Sequence, residues 1–116
     1  MVKSSEFARG DIVLVGFEPA TGHEQKGVGR PALVLSVSAF NRFGMVLVAP
    51  ITQGGNYARY AGFTVPLSCK TGDVSGVVLV NQFRMMDLRA RGAKKLGEVS
   101  AEVMEDVLLR AQAILD

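Results

Sequence analysis

The chain has 116 residues, 48% of them hydrophobic and 21% charged, which excludes a disordered polypeptide and suits one core rather than two. A formal net charge of +2 permits a polyanionic partner without requiring one. One cysteine and one histidine exclude an internal disulfide and a cysteine-based zinc site, and no apolar run approaches the roughly 20 residues of a membrane span.

Residues Met1–Ala8 read as a polar lead without the apolar segment of a signal peptide, so a reducing cytoplasm is the expected setting. Asp11–Phe17 (DIVLVGF) is the first predicted strand. Gly22–Pro31 (GHEQKGVGRP) is polar and glycine-rich, which marks a loop whose backbone can approach a ligand closely. A second strand follows at about Ala32–Val37, then a turn over Ser38–Gly44. A third strand, Met45–Pro50, is expected to end at its proline. Ile51–Gly62 is a long polar segment, and Phe63–Leu67 and Val77–Val80 are two more strands separated by turn chemistry over Ser68–Gly76. Arg84–Leu88 reads as a short helical turn, Arg89–Lys95 as a basic connector and Leu96–Val99 as one further short strand. Ser100 resembles a helix N-cap. After it Val103, Val107, Ala111 and Ile114 recur at helical spacing, reinforced by Met104, Leu108 and Leu115, with Asp106 and Arg110 four apart on the other face.

Five or six short strands and one C-terminal helix predict a mainly β single domain over residues 1–116, a strongly bent antiparallel sheet or SH3-like barrel. The strand runs are nearly continuous in apolar residues, the pattern of strands buried on both faces. In a chain this short, a second covered face suggests a partner subunit.

Three segments could meet at one end of such a barrel. In the first, Arg30 could clamp a phosphate through two parallel hydrogen bonds, with Glu24 as its anchor or as a base. His23 carries the one side chain whose ordinary pKa lies near neutrality. Glu24, Gln25 and Lys26 also fit as ordinary solvated loop residues. In the second, Thr52 is either a turn residue or a hydroxyl donor to a phosphoryl oxygen. In the third, Asn81-Gln82-Phe83-Arg84 interrupts an apolar strand, as a satisfied structural pair or as a base-reading edge.

Asn56, Tyr57, Arg59 and Tyr60 interleave aromatics with an arginine, which suits single-stranded nucleic acid as well as a hairpin packed on its own domain. Such a set lacks a good protein nucleophile. RNA would supply its own, because the 2′-hydroxyl can attack the adjacent phosphate while the protein orients groups and stabilises charge. On these residues alone, RNA cleavage is one option among several.

Taken in order, Arg9-Gly10-Asp11-Ile12-Val13, Phe17-Glu18-Pro19, Gly22-His23-Glu24-Gln25, Gly29-Arg30-Pro31-Ala32, Val48-Ala49-Pro50-Ile51-Thr52, Asn81-Gln82 and Arg89-Ala90-Arg91-Gly92-Ala93 resemble the MazF/PemK toxin family. The segments Gly54–Phe63 and Met85–Leu88 bring the chain nearest to that family's ChpB branch. The resemblance implies a homodimer of SH3-like barrels, the fold shared with CcdB-type toxins. It also implies a metal-independent, cofactor-free endoribonuclease acting on single-stranded mRNA to leave 2′,3′-cyclic phosphate and 5′-hydroxyl ends. The implied partners are a small acidic antitoxin and, only through the antitoxin complex, operator DNA; no membrane is involved. Carried over by position, Arg30 and Thr52 are the catalytic pair, Glu24 matches a functionally important carboxylate counted with them, and Gln82 contacts RNA; His23, Gln25, Gln53, Asn56, Tyr57, Arg59, Asn81 and Arg84 are further candidates for RNA contact. Asn81 departs from an aspartate of many relatives and Leu79 from a basic residue of the PemK type, so the acid-base roles of that branch do not transfer. Two other readings share the fold: a CcdB-like gyrase poison, and an RNA-binding module without turnover.

Overall fold

The computed structural model describes residues 7–17, 29–53 and 62–116. Among them the strands are β1 (Asp11–Val15), β2 (Arg30–Val34), β3 (Val46–Thr52), β4 (Thr64–Pro66), β5 (Cys69–Thr71), β6 (Val77–Leu79), β7 (Arg84–Met86) and β8 (Lys94–Val99). A single helical turn, α1 (Ser38–Asn41), precedes β3, and α2 (Ala101–Leu115) ends the chain. The strands form one bent sheet in the order β4-β6-β3-β2-β1-β8-β5, with β7 also on β3, and all the pairings are antiparallel. The mainly β architecture with a C-terminal helix is as the sequence predicts.

Side-chain alternation splits the core in two, because successive residues of a strand point to opposite faces. On one face Ile12, Leu33, Leu35, Ala49, Ile51, Val78 and Val80 pack with Val103, Val107 and Ala111 of α2. On the other, Val13, Val15, Ala32, Val34, Val46 and Val48 pack with Phe7, Met86 and Leu88, and Phe17 lies against them. Near-continuous apolar strands are therefore buried on both faces, and the second face is covered largely within one chain. Burying a side chain of this size stabilises by about 1.5–3 kcal/mol, so the two clusters together hold the sheet in its bend.

Helix α2 forms as its local signals dictate. The Ser100 hydroxyl accepts from the Val103 N–H at 3.2 Å, and Arg110 bonds Asp106 at 2.7 Å. The buried stripe ends at Ala111, and Ile114 and Leu115, which continue the helical spacing, are exposed. Asn41, the one fully buried amide among the described residues, donates to the Phe7 and Ser36 carbonyls at 2.9 and 3.0 Å.

Several elements differ in type or extent from the sequence reading. Strand β3 continues through Pro50 to Thr52, because the ladder on its far side is interrupted there: β6 pairs with Ile51 and Thr52 and β7 with Val46–Val48. A proline without an N–H is harmless opposite that gap. The gap is filled by a 3-10 turn, Val80–Gln82, where the sequence predicts a continuous strand as far as Val80. Arg84–Met86 is a strand and not a helical turn, since pairing with Val46–Val48 outweighs the weak local preference of Arg-Met-Met. Cys69–Thr71, read as turn, pairs with β8 across a bulge, and β8 itself begins at Lys94 inside the expected connector.

Candidate active site

Arg30 opens β2 and faces Val15 of β1. On its other side β2 pairs with β3 as Ala32↔Pro50, Leu33↔Ala49 and Val34↔Val48. The paired stretch ends at Ala32↔Pro50; continued two residues further, its register would bring Arg30 across from Thr52. Antiparallel partners stand about 4.5–5.5 Å apart and project to one face, within reach of a single phosphate for a long guanidinium and a short hydroxyl. That face is fixed by alternation. Ala32 and Val34 pack on the side away from α2, as does Val48, so Arg30 and Thr52 project there as well. Arg30 is exposed and Thr52 half-buried.

Two glycines let these strand ends sit where they do. A Cβ on Gly29 would lie 3.0 Å from the Leu14 Cγ, on the face opposite Arg30, so the Leu14 side chain would have to give by a few tenths of an ångström to admit it. Gly76 has φ +138, and a Cβ on it would lie 2.6 Å from the Thr52 carbonyl. Only glycine allows both that backbone conformation and that approach. The β6 edge can therefore close on Thr52 through the Thr52↔Val77 pair.

On the far flank of β3, Asn81 and Gln82 are exposed on the 3-10 turn beside the Ala49–Pro50 gap, while Val80 anchors the turn in the helix-side core. Exposed amides on a turn pinned by a buried valine can meet a ligand without loss of core packing. Gln53 is exposed, and its side-chain nitrogen donates to the Ser75 carbonyl at 3.1 Å. Arg84 lies 5.5 Å above the centroid of the Phe17 ring. Since Met86 and Phe17 belong to the face away from α2, Arg84 shares the face of Arg30 and Thr52. Of the three segments expected to meet, residues 22–28 of the Gly22–Arg30 loop lie outside the described residues, while Arg30, Thr52 and Asn81–Arg84 lie on or beside strands that adjoin β3. Glu24, His23, Gln25, Asn56, Tyr57 and Arg59 lie outside the described residues.

Sequence reasoning passes over Phe17 and Gly76 as site residues. An aromatic closing an apolar strand just before a polar loop is the available signal for the first. The second has no local signal, because its role depends on a strand end distant in sequence.

Arg30 and Thr52 lie at the ends of β2 and β3 on the sheet face away from α2, a guanidinium and a hydroxyl of the kind that can hold an anion. Residues 8–115 match the family of PemK-like, MazF-like toxins of type II toxin-antitoxin systems, and the chain belongs to that family. Within it, the chain is 72% identical over the full length of both to Endoribonuclease toxin ChpB of Escherichia coli (strain K12). Among solved structures it is similar to MazF (Form-I) from Deinococcus radiodurans, with a TM-score of 0.76 and 38% identity over 93% of this chain and 94% of that one. It is similar also to MazE-MazF (Form-II) from the same organism, with a TM-score of 0.73 and 34% identity over 93% of each chain.

Proposed function

We propose that this toxin is an endoribonuclease of single-stranded mRNA in which the substrate's own ribose is the nucleophile and no metal is needed. The 2′-oxygen bonds to the adjacent phosphorus as the P–O5′ bond breaks. One proton leaves the 2′-hydroxyl and one is delivered to the departing 5′-oxygen, giving 2′,3′-cyclic phosphate and 5′-hydroxyl ends. The observation that carries this reading is the β2–β3 ladder, whose register, continued two residues past Ala32↔Pro50, would oppose Arg30 to Thr52 on one sheet face. Relatives named as endoribonucleases support it.

In this account Arg30 stabilises the charge that develops on the phosphorane and Thr52 holds a phosphoryl oxygen. A preorganised donor of this kind contributes roughly 3–4 kcal/mol to the transition state. Glu24 orients Arg30. Asn81 and Gln82 read bases from the 3-10 turn, while His23, Gln25, Gln53, Asn56, Tyr57, Arg59 and Arg84 line the strand's path. Asn81 exchanges no proton at neutral pH, so it contributes to sequence preference rather than to acid-base chemistry.

The toxin acts in the cytoplasm as a homodimer of single domains spanning residues 1–116, held by a small acidic antitoxin and meeting operator DNA only through that complex. A MazE-MazF complex of the same fold supports the antitoxin partnership, and exposed Phe43, Leu109 and Leu115 offer apolar surface for association. No helix among the described residues is long and apolar enough to cross a membrane. The gyrase-poisoning alternative is disfavoured by the endoribonuclease relatives, and the chain has no tryptophan for a CcdB-like contact.

The test is chemical. Purified protein is mixed with a long single-stranded RNA in EDTA and the ends are mapped. Discrete cuts bearing cyclic phosphate are expected. RNA left intact, or cuts that vanish with chelation, would overturn the reading.

A further inference from the structure

The carboxyl end of β1 is gripped from one side by two arginines that enter from β7 and the turn after it. The Arg91 guanidinium donates to the Gly16 carbonyl at 2.8 Å. The Arg84 guanidinium lies over the Phe17 ring, 5.5 Å from its centroid. Phe17 is itself half-buried against the core on the face away from α2, so packing restrains the ring that Arg84 meets. Arg84 is exposed and stands opposite Val48, four residues before Thr52 on β3. Long arginine side chains in solvent sample many rotamers. A ring face restricts them and leaves the N–H groups at the rim of the guanidinium pointing outward, where they can donate to an anion.

We propose that Phe17 is a positioning residue for the RNA substrate. It holds Arg84 flat on the strand face that carries Arg30 and Thr52, so that Arg84 meets a backbone phosphate beside the one being cut. The inference rests on the nuclease reading above. Phe17 does not touch the reacting atoms; it acts through Arg84. Because the contact is with phosphate, it is blind to base identity.

The experiment uses the full chain with Phe17→Leu, Phe17→Trp, Arg84→Met and the Phe17→Leu/Arg84→Met double variant. Leucine keeps apolar packing and removes the π face, whereas tryptophan keeps it. Cleavage kinetics are measured on one RNA over a range of salt, and binding on a fully 2′-O-methylated single strand that offers no nucleophile. Arg84→Met should raise KM severalfold with kcat within about twofold. It should also reduce the salt slope of binding by about 0.7, the share of one phosphate contact on a single strand. Phe17→Leu should move KM and slope the same way, Phe17→Trp should restore both, and the double variant should be no worse than Arg84→Met. Cleavage positions should not change in any of them.

Equal KM for Phe17→Leu and parent, additive losses in the double variant, or failure of tryptophan to rescue would overturn the proposal. So would altered cleavage positions, because they would place Arg84 on a base. If the parent itself leaves the RNA intact, it is the nuclease reading that has failed.

Discussion

Gly76 shows how much of the site depends on a single hydrogen in place of a side chain. With φ +138 and only 2.6 Å between the position of a Cβ and the Thr52 carbonyl, alanine there would strain its own backbone and push on the strand end that presents the hydroxyl. Backbone strain of this kind costs on the order of 1–3 kcal/mol. Gly76→Ala should therefore lower Tm by several degrees and reduce kcat more than KM, measured by thermal unfolding and RNA cleavage on the same preparation. Parental values for both would mean that the close approach at Thr52 is without consequence. A similar constraint acts at Gly29, where Leu14 fills the space a Cβ would take. Arg30 and Thr52 are both identifiable as single residues in the sequence. The register that would oppose them is not, since Pro50 suggests an end to β3 and so hides the strand beyond it.

Among the elements, those built from local signals are legible and those built from distant pairing are not. Helix α2 announces itself through Ser100 and the spacing of Val103, Val107 and Ala111. Strands β5 and β7 have three residues each, too few to show a period, and exist only because Val99 and Val46–Val48 offer them a ladder. Among the described residues, the β1–β8 ladder carries the one charged cluster linking strands. Lys95 bonds Glu98 at 2.8 Å and lies 3.3 Å from buried Asp11, whose carboxylate also accepts from the Ala8 N–H.

The hydrogen bond to Glu98, aided by the Asp11 charge against partial desolvation, raises the Lys95 pKa above its ordinary 10.5. The Lys95 hydrogen bond and charge lower that of Glu98 below 4.5. A raised lysine stabilises fully below its unfolded value and ceases to do so as pH climbs through the folded one. A lowered glutamate stabilises above its unfolded value and ceases to as pH falls through the folded one. Lys95→Met should therefore lower Tm by a small, constant amount between about pH 5 and 10. The difference from the parent should shrink towards both ends of a pH series. Solvent screening of these exposed groups keeps the effect small. A difference that grew below pH 4 would show that the cluster does not stabilise in this way.

At the scale of the molecule, the two-faced sheet divides labour. The face under α2 is closed by Val103, Val107 and Ala111, while the opposite face packs Ala32, Val34, Val46 and Val48 with Phe7, Met86 and Leu88 and also carries Arg30, Thr52 and Arg84. Both clusters share the same strands, so the residues proposed for the site stand on a sheet packed from both sides. The fold class follows from apolar runs and one amphipathic helix, whereas the second face's closure by Phe7, Met86 and Leu88 depends on contacts across most of the chain.

The central claim is that Arg30 and Thr52 serve one phosphodiester, and a double-mutant cycle on the RNA cleavage rate tests it most directly. Arg30→Ala should reduce kcat by about 10²–10³, in line with the loss of one preorganised donor, and Thr52→Val by less. The loss in the double variant should fall well short of the product of the two single losses, a coupling of about 0.5–3 kcal/mol. Strictly multiplicative losses, or cleavage at the parental rate by Arg30→Ala, would contradict the account.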